Sequence, residues 1–130
     1  YSERLADEMG LYQDDHERLG MLNLQALRAA RLVADTGIHA FGWTRARSIA
    51  TLRASGCDER DAANETDRYA AIPGQALTYK LGQLEIEQLR GQWVAGGGDV
   101  RGFHDALLGL GLLPLASLRA ELGGGGGFDR

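Results

Sequence analysis

The sequence is poor in the residues on which disulfides and metal clusters depend. It contains one cysteine (Cys57) and three histidines (His16, His39 and His104). A single cysteine excludes an internal disulfide and a cysteine-built metal site, and it fits a reducing compartment, so a cytoplasmic location is slightly favoured. The histidines form neither a His-Glu-x-x-His segment nor a pair four residues apart, so these residues predict no metal site.

Long apolar runs are also missing. No stretch reaches the roughly 18 apolar residues that a membrane-spanning helix needs, and none has the character of a signal peptide. We therefore expect a soluble protein without a membrane partner. The formal net charge is −4, and the arginines are spread along the chain, so the sequence lacks the basic patch that nucleic-acid binding requires.

No segment alternates β-branched or aromatic residues with polar ones, so the sequence predicts an all-α bundle of about six to seven helices. Caps and glycine stops place these helices at 1–9, 15–39, 44–55, 58–69, 73–94, 100–108 and 114–122. The second helix is predicted to end at either Gly37 or His39, and the longer version is favoured because Gly42 supplies a stop. Residues 1–122 are expected to form one helical domain, and residues 123–130 a disordered glycine-rich tail.

The fifth helix is predicted to be amphipathic. Its core face is expected to carry Leu77, Leu81, Leu84, Leu89 and Trp93. The second helix has a comparable apolar repeat in Leu19, Leu22, Ala26, either Ala29 or Ala30, and Val33. Such faces need a partner to cover them, so the sequence also allows self-association through any face that is left exposed.

The stretch from Asp67 to Lys80 brings together the polar side chains of greatest interest. Pro73 disfavours helical geometry at Ile72, so one helix is predicted to end there and the next to begin at Pro73. Arg68 and Tyr69 then precede the break, and Gln75 and Tyr79 follow it on one helix face. These groups can converge on an anion or a carbonyl group, although ordinary hydrogen bonding between helices explains the same residue types.

His39 is a further candidate, because Asp35 lies one turn before it on the same predicted helix. The carboxylate is expected to orient the imidazole and partly charge it. Both a catalytic and a purely structural histidine agree with this spacing. Cys57 has no histidine near it in sequence, so covalent catalysis through its thiol finds no support.

Several separate segments resemble the C-terminal part of the bacterial domain-of-unknown-function family 885, in the right order from Tyr1 to about Leu122. The segments are Tyr1-Ser-Glu-Arg-Leu-Ala-Asp-Glu-Met-Gly-Leu-Tyr12, Arg31-Leu-Val-Ala-Asp-Thr-Gly-Ile-His39, Gly42-Trp-Thr44, Arg68-Tyr69, Pro73-Gly-Gln-Ala76, Tyr79-Lys80, Phe103-His-Asp105 and Leu113-Pro-Leu115. The family resembles helical zinc metallopeptidases of the gluzincin kind. Its His-Glu-x-x-Pro-Gly-His-His and Glu-Gly-Trp-Ala-Leu segments, which supply the metal ligands, would both precede Tyr1.

The resemblance implies that the chain is the substrate-side half of a zinc-dependent hydrolase of peptide-like bonds. It implies that Tyr79, Tyr69 or His39 stabilises the oxyanion, that Arg68 binds a substrate carboxylate or carbonyl group, and that Gln75 positions the substrate. The chain holds no zinc ligands of its own and is expected to be inactive alone.

The alternative interpretation is a non-catalytic helical module that binds a partner or a second copy of itself. The chain begins at Tyr1 in what reads as the middle of an amphipathic helix, so we expect it to be a fragment of a longer protein. Apolar faces left uncovered in such a fragment would favour a homodimer.

Overall fold

The computed structural model describes residues 1–123, and within them the chain forms seven α-helices and no strand. The helices are α1 (Ser2–Glu8), α2 (Asp15–Phe41), α3 (Arg45–Ala54), α4 (Glu59–Ala71), α5 (Leu77–Ala95), α6 (Val100–Gly109) and α7 (Leu115–Gly123). The predicted all-α fold is confirmed. The predicted glycine-rich tail lies, beyond Gly123, outside the described residues. None of the described helices has the length and apolar character needed to cross a membrane.

Side-chain caps explain why four of the helices begin where they do. In each case the oxygen of the capping side chain accepts a backbone N–H three residues later, which satisfies one donor that the helix leaves free. The capping residues are Asp14, Thr44, Asp58 and Asp99. Gly42 ends α2 in the left-handed conformation, with φ of 62°, so the longer version of this helix is confirmed.

The connection between α4 and α5 differs from its prediction in one respect. α4 ends at Ala71, just before Pro73, as predicted. The predicted helix start at Pro73 is wrong by one turn, because residues 73–76 form turns and α5 begins at Leu77. Gly74 has φ of +82°, which lies outside right-handed helical geometry and delays the start of the helix.

The chain divides into two compact units, of which the first covers Tyr1–Lys80. In this unit α2, α3 and α4 pack against one another. Their buried core is formed by Ala34, Leu52, Ala62, Tyr69 and Ala76. α1 is tied to α2 because both oxygens of the Glu3 carboxylate accept hydrogen bonds from Arg28.

The second unit begins at Leu81. Its buried apolar side chains are Leu89, Phe103, Leu118 and Leu122. The edge of one ring in the Trp93–Phe103 pair faces the other ring, at a centroid distance of 6.2 Å. Arg119 of α7 donates two hydrogen bonds to the Glu85 carboxylate of α5, which ties these two helices together.

The apolar face predicted for α5 is wrong at two positions. Leu81 and Leu84 are exposed, whereas Gln83 and Glu85 are buried. The carboxylate of Glu85 can be buried because Arg119 satisfies both of its oxygens. The apolar repeat of α2 is also exposed at Leu19, at Leu22 and at Val33.

Candidate functional site

The break between α4 and α5 is anchored to α2 by a buried carboxylate. Asp35 is 1% exposed, and both of its oxygens lie 3.2 Å from the backbone nitrogen of Gly74, which donates to them. This contact holds the turn over α2, with Arg68 and Tyr69 before it and Gln75 and Tyr79 after it. Asp35 was expected to orient His39, but its carboxylate faces Gly74 instead.

Three of the predicted site residues form a chain of hydrogen bonds across the break. Nη1 of Arg68 donates to Oε1 of Gln75 over 2.7 Å. Nε2 of Gln75 in turn donates to the phenol oxygen of Tyr79 over 3.4 Å. The end of α4 and the first turn of α5 are therefore joined by polar side chains. Gln75 lies in the turn before α5, so its predicted place on one helix face with Tyr79 is wrong.

Glu65 is the acceptor around which the rest of the site is arranged. Its carboxylate accepts hydrogen bonds from Nε of Arg68 at 3.1 Å, from Nη2 of Arg68 at 2.6 Å and from the phenol of Tyr69 at 2.7 Å. Nε of Arg31 lies 3.4 Å from the same carboxylate and forms an ion pair with it. We refer to Arg31, Glu65, Arg68, Tyr69, Gln75 and Tyr79 as the Glu65 cluster.

The cluster changes the proton affinity of its acidic groups. Partial burial by itself would raise the pKa of Glu65, but the hydrogen bonds from Arg68 and Tyr69, together with the charge of Arg31, lower that pKa below its ordinary value. Burial raises the pKa of the Tyr69 phenol, and the hydrogen bond to Glu65 raises it further. Glu65 is therefore a carboxylate and Tyr69 a neutral phenol at physiological pH.

Tyr69 and His39 are already engaged in contacts with the fold. The side chain of Tyr69 belongs to the buried core, and its O–H donates to Glu65. Nε2 of His39 lies 3.0 Å from the carbonyl oxygen of Tyr69 and donates to it. The imidazole thus supports the last turn of α4 across the helix interface.

Arg31 connects the two phenols of the cluster. Its guanidinium carbon lies 4.7 Å from the centre of the Tyr79 ring and 5.9 Å from that of Tyr69, within the range of cation–π attraction. Arg31 and Glu65 were not predicted as site residues. The signal for Glu65 was its spacing of three and four residues from Arg68 and Tyr69, which places all three on one face of a helix.

A cavity of about 380 Å³ lies beside the cluster in the first unit. Its walls come from α2, from α4 and from the loop before α4. The lining residues are Leu27, Arg31, Cys57, Asp61, Asn64 and Glu65. Arg31 and Glu65 thus belong both to the cluster and to this cavity, which we call the Cys57 cavity.

The side chains do not fit a bound zinc ion. Among residues 1–123, no three or more His, Cys, Asp or Glu side chains are grouped so that they could hold a metal ion. Zinc needs three or four such ligands around one point.

The family model described as "Bacterial protein of unknown function (DUF885)" matches residues 1–122. The chain belongs to this family. The predicted membership is confirmed, and the match covers the residues of both the Glu65 cluster and the Cys57 cavity. The family description assigns no activity. Neither the curated proteins nor the solved structures contain a match to this chain.

Proposed function

We propose that this chain is the substrate-side part of a zinc-dependent, peptidase-like hydrolase whose metal is held by polypeptide outside the chain. In this proposal the seven helices belong to a larger helical metallopeptidase-like fold. The Glu65 cluster binds the carboxylate or carbonyl group of a peptide-like substrate. When bound elsewhere in the protein, the zinc ion would supply the activated water, and the residues of this chain would hold the substrate opposite it.

The convergence of Arg68, Gln75 and Tyr79 on one break between helices is the observation that carries the proposal. Arg31 and Arg68 contribute two positive charges, and Glu65, to which both are paired, contributes one negative charge. The three side chains therefore have one positive charge in excess. A guanidinium has five N–H donors, and the described contacts of Arg68 use three of them. The remaining donors suit a substrate carboxylate.

Tyr79 is the phenol that best fits an oxyanion donor. The O–H of Tyr69 donates to Glu65, and Nε2 of His39 donates to the Tyr69 carbonyl. The Tyr79 oxygen, in contrast, accepts a hydrogen bond from Gln75, which leaves its own proton for a substrate. Tyr79 is 47% exposed, so a ligand can reach it. We assign Tyr79 to oxyanion stabilisation, Gln75 to the positioning of Tyr79, and Tyr69 and His39 to support of the site.

Substrate binding is testable on the chain itself. We expect an N-acetylated dipeptide with a free C-terminal carboxylate to shift the NMR signals of the residues around the Glu65 cluster, and the corresponding C-terminal amide to bind more weakly. Arg68→Ala should abolish the difference between the two ligands. Arg60→Ala removes the same charge from an exposed position on α4 and is the matched control. Equal binding of the carboxylate and the amide to the unmodified chain would overturn the assignment of Arg68.

Catalysis is testable in the full-length protein that contains this chain. We expect zinc-dependent hydrolysis of a peptide library, and a loss of about 10²-fold in kcat for Tyr79→Phe with little change in KM, as for other oxyanion donors. Tyr12→Phe is the control, because the Tyr12 phenol donates to a backbone carbonyl in the α1 region. The isolated chain with added zinc should be inactive, and hydrolysis by the purified chain would contradict the proposed division of roles.

A non-catalytic module that associates with itself is the alternative. The exposed side chains of Leu19, Leu22 and Val33 along α2 motivate it. Sedimentation equilibrium tests this alternative, because it measures whether the chain is a monomer or a dimer. A dimer that dissociates when Leu22→Lys is introduced would support self-association through α2, whereas a monomer at all concentrations would exclude it.

A further inference from the structure

The Cys57 cavity has an apolar side and an acidic side. Leu27 of α2 and the thiol of Cys57 supply surface that suits a hydrocarbon chain. Asp61 and Asn64 on α4 are exposed and belong to the same lining. A volume of about 380 Å³ is within the range of sites for small ligands or for a single side chain.

The charges around the cavity favour a cation. Of the lining residues, Asp61 and Glu65 are acidic and Arg31 is basic. Glu65 is paired with Arg31 and Arg68, so the negative charge available to a cation is that of Asp61. The Arg31 guanidinium is directed toward Glu65 and the two phenol rings. The pKa of the Cys57 thiol is raised first by burial. The negative charges of Asp61, Asp58 and Glu65 raise this pKa further, because they disfavour the thiolate.

We infer that the Cys57 cavity binds a primary alkylammonium group, such as the side chain of a lysine residue. The alkyl chain lies against Leu27 and Cys57, and the ammonium group is held at Asp61 with Asn64 beside it. A primary ammonium group has three N–H donors, and the carboxylate oxygens of Asp61 and the amide oxygen of Asn64 can accept hydrogen bonds from them. A neutral alkyl group of the same size would leave the Asp61 charge unpaired and should bind more weakly.

This inference deepens the proposed function, and its link to the substrate rests on that function. Asp61 and Arg68 are both on α4, seven residues apart, so their backbones are about 10 Å apart along the helix axis. A substrate with a C-terminal lysine would place its carboxylate at Arg68 and its ammonium group at Asp61. The cavity would then select substrates with a basic C-terminal residue.

Alkylation of Cys57 tests the cavity directly, because the sequence contains no other cysteine. The rate of reaction with the neutral reagent iodoacetamide is measured at pH 8 with increasing n-butylammonium chloride, at an ionic strength kept constant with sodium chloride. A ligand that fills the cavity slows the reaction by the factor 1 + [L]/Kd, about threefold at twice the dissociation constant. 1-Butanol, the neutral analogue of similar size, should give less than half of this protection.

Asp61→Asn should abolish the protection by butylammonium, judged as the ratio of rates with and without ligand in the same variant. The ratio is needed because loss of the Asp61 charge also makes the thiol more acidic and faster to react.

Glu59→Gln is the matched control, since Glu59 is an exposed acid on the same helix that pairs with Arg53 outside the cavity. Absence of protection in the unmodified chain, equal protection by butanol, or full protection in Asp61→Asn would each overturn the inference. None of these results depends on Arg68 or Tyr79, so the cavity can fail while the proposed function stands.

Discussion

At the scale of single residues, Glu65 has the largest influence on the site. One carboxylate accepts from a guanidinium and a phenol and faces a second guanidinium at ion-pair distance. Hydrogen bonds to a charged acceptor are shorter and stronger than those between neutral groups. Glu65 therefore fixes the positions of Arg31, Arg68 and Tyr69 together, and its loss should affect all three.

Glu65→Gln should lower the free energy of unfolding at pH 7 by about 2 kcal/mol, because an amide cannot replace a carboxylate that accepts from charged donors. The cost should also depend on pH. The pKa of Glu65 is lowered from its ordinary value of 4.5 in the folded chain, so the stability that it contributes is present above that value and is lost as the pH falls through the folded-state pKa. Urea unfolding at pH 7 and at pH 3 measures both effects.

The difference in unfolding free energy between the unmodified chain and Glu65→Gln should therefore shrink on acidification. Other carboxylates titrate in both proteins and cancel in the difference. Glu59→Gln serves as the control, because its exposed ion pair with Arg53 is expected to contribute less than about 1 kcal/mol at either pH. A difference for Glu65→Gln that stays the same from pH 7 to pH 3 would contradict the assignment of Glu65 as an ionised acceptor.

At the scale of helices, close packing around α2 decides how the first unit is built. Gly37 is buried near the end of this helix, and a Cβ atom added there would overlap the ring of Trp43. The Trp43 ring in turn has the guanidinium of Arg47 4.0 Å from its centre. The chain can therefore reverse from α2 to α3 with the indole against the helix backbone only because residue 37 has no side chain.

Gly37→Ala should destabilise the first unit by about 1–3 kcal/mol, because overlap in a packed region forces the ring or the backbone to move. Gly20→Ala on the same helix should instead raise the stability by up to about 1 kcal/mol, since alanine favours helices and the added Cβ meets open space. Urea unfolding followed by Trp43 fluorescence, in variants that also carry Trp93→Phe, measures both effects. An increase in stability for both variants would show that the Trp43 ring does not depend on Gly37.

Helix boundaries and part of the site could be predicted because their causes are local. The caps at Asp14, Thr44, Asp58 and Asp99 act within one helical turn, so residue type and spacing are enough to place the helix starts that they control. Pro73 likewise interrupts a helix through its own ring, which led directly to Arg68, Tyr69, Gln75 and Tyr79. The start of α5 was missed because Gly74 adopts a positive φ that its sequence neighbours do not require.

The features that sequence reasoning missed depend on contacts between distant segments. Arg31 faces Glu65 only because α2 packs against α4, and Asp35 binds Gly74 instead of His39 because the α4–α5 connection lies over α2. Burial of Glu85 depends in the same way on Arg119 of another helix. A periodicity of apolar residues cannot anticipate a buried ion pair, so Leu81 and Leu84 are wrongly predicted to lie in the core.

At the scale of the whole molecule, the two compact units each have their own buried residues and one tryptophan. Trp43 belongs to the unit of residues 1–80, and Trp93 to the unit that begins at Leu81. Two units that have separate cores unfold independently, each with its own free energy of unfolding, unless the interface between them is strong. We therefore expect fluorescence of the single-tryptophan variants Trp93→Phe and Trp43→Phe to give two urea transitions with different midpoints.

Mild core substitutions assign each transition to its unit. Leu52→Val, at a fully buried position of the first unit, should destabilise the Trp43 transition by about 1 kcal/mol and leave the Trp93 transition almost unchanged. Phe103→Leu, beside Trp93 in the second unit, should have the opposite selectivity. If each substitution instead shifted both transitions equally, the two units would unfold as one. The Glu65 cluster and the Cys57 cavity, which lie entirely within residues 1–80, would then depend on the second unit for their stability.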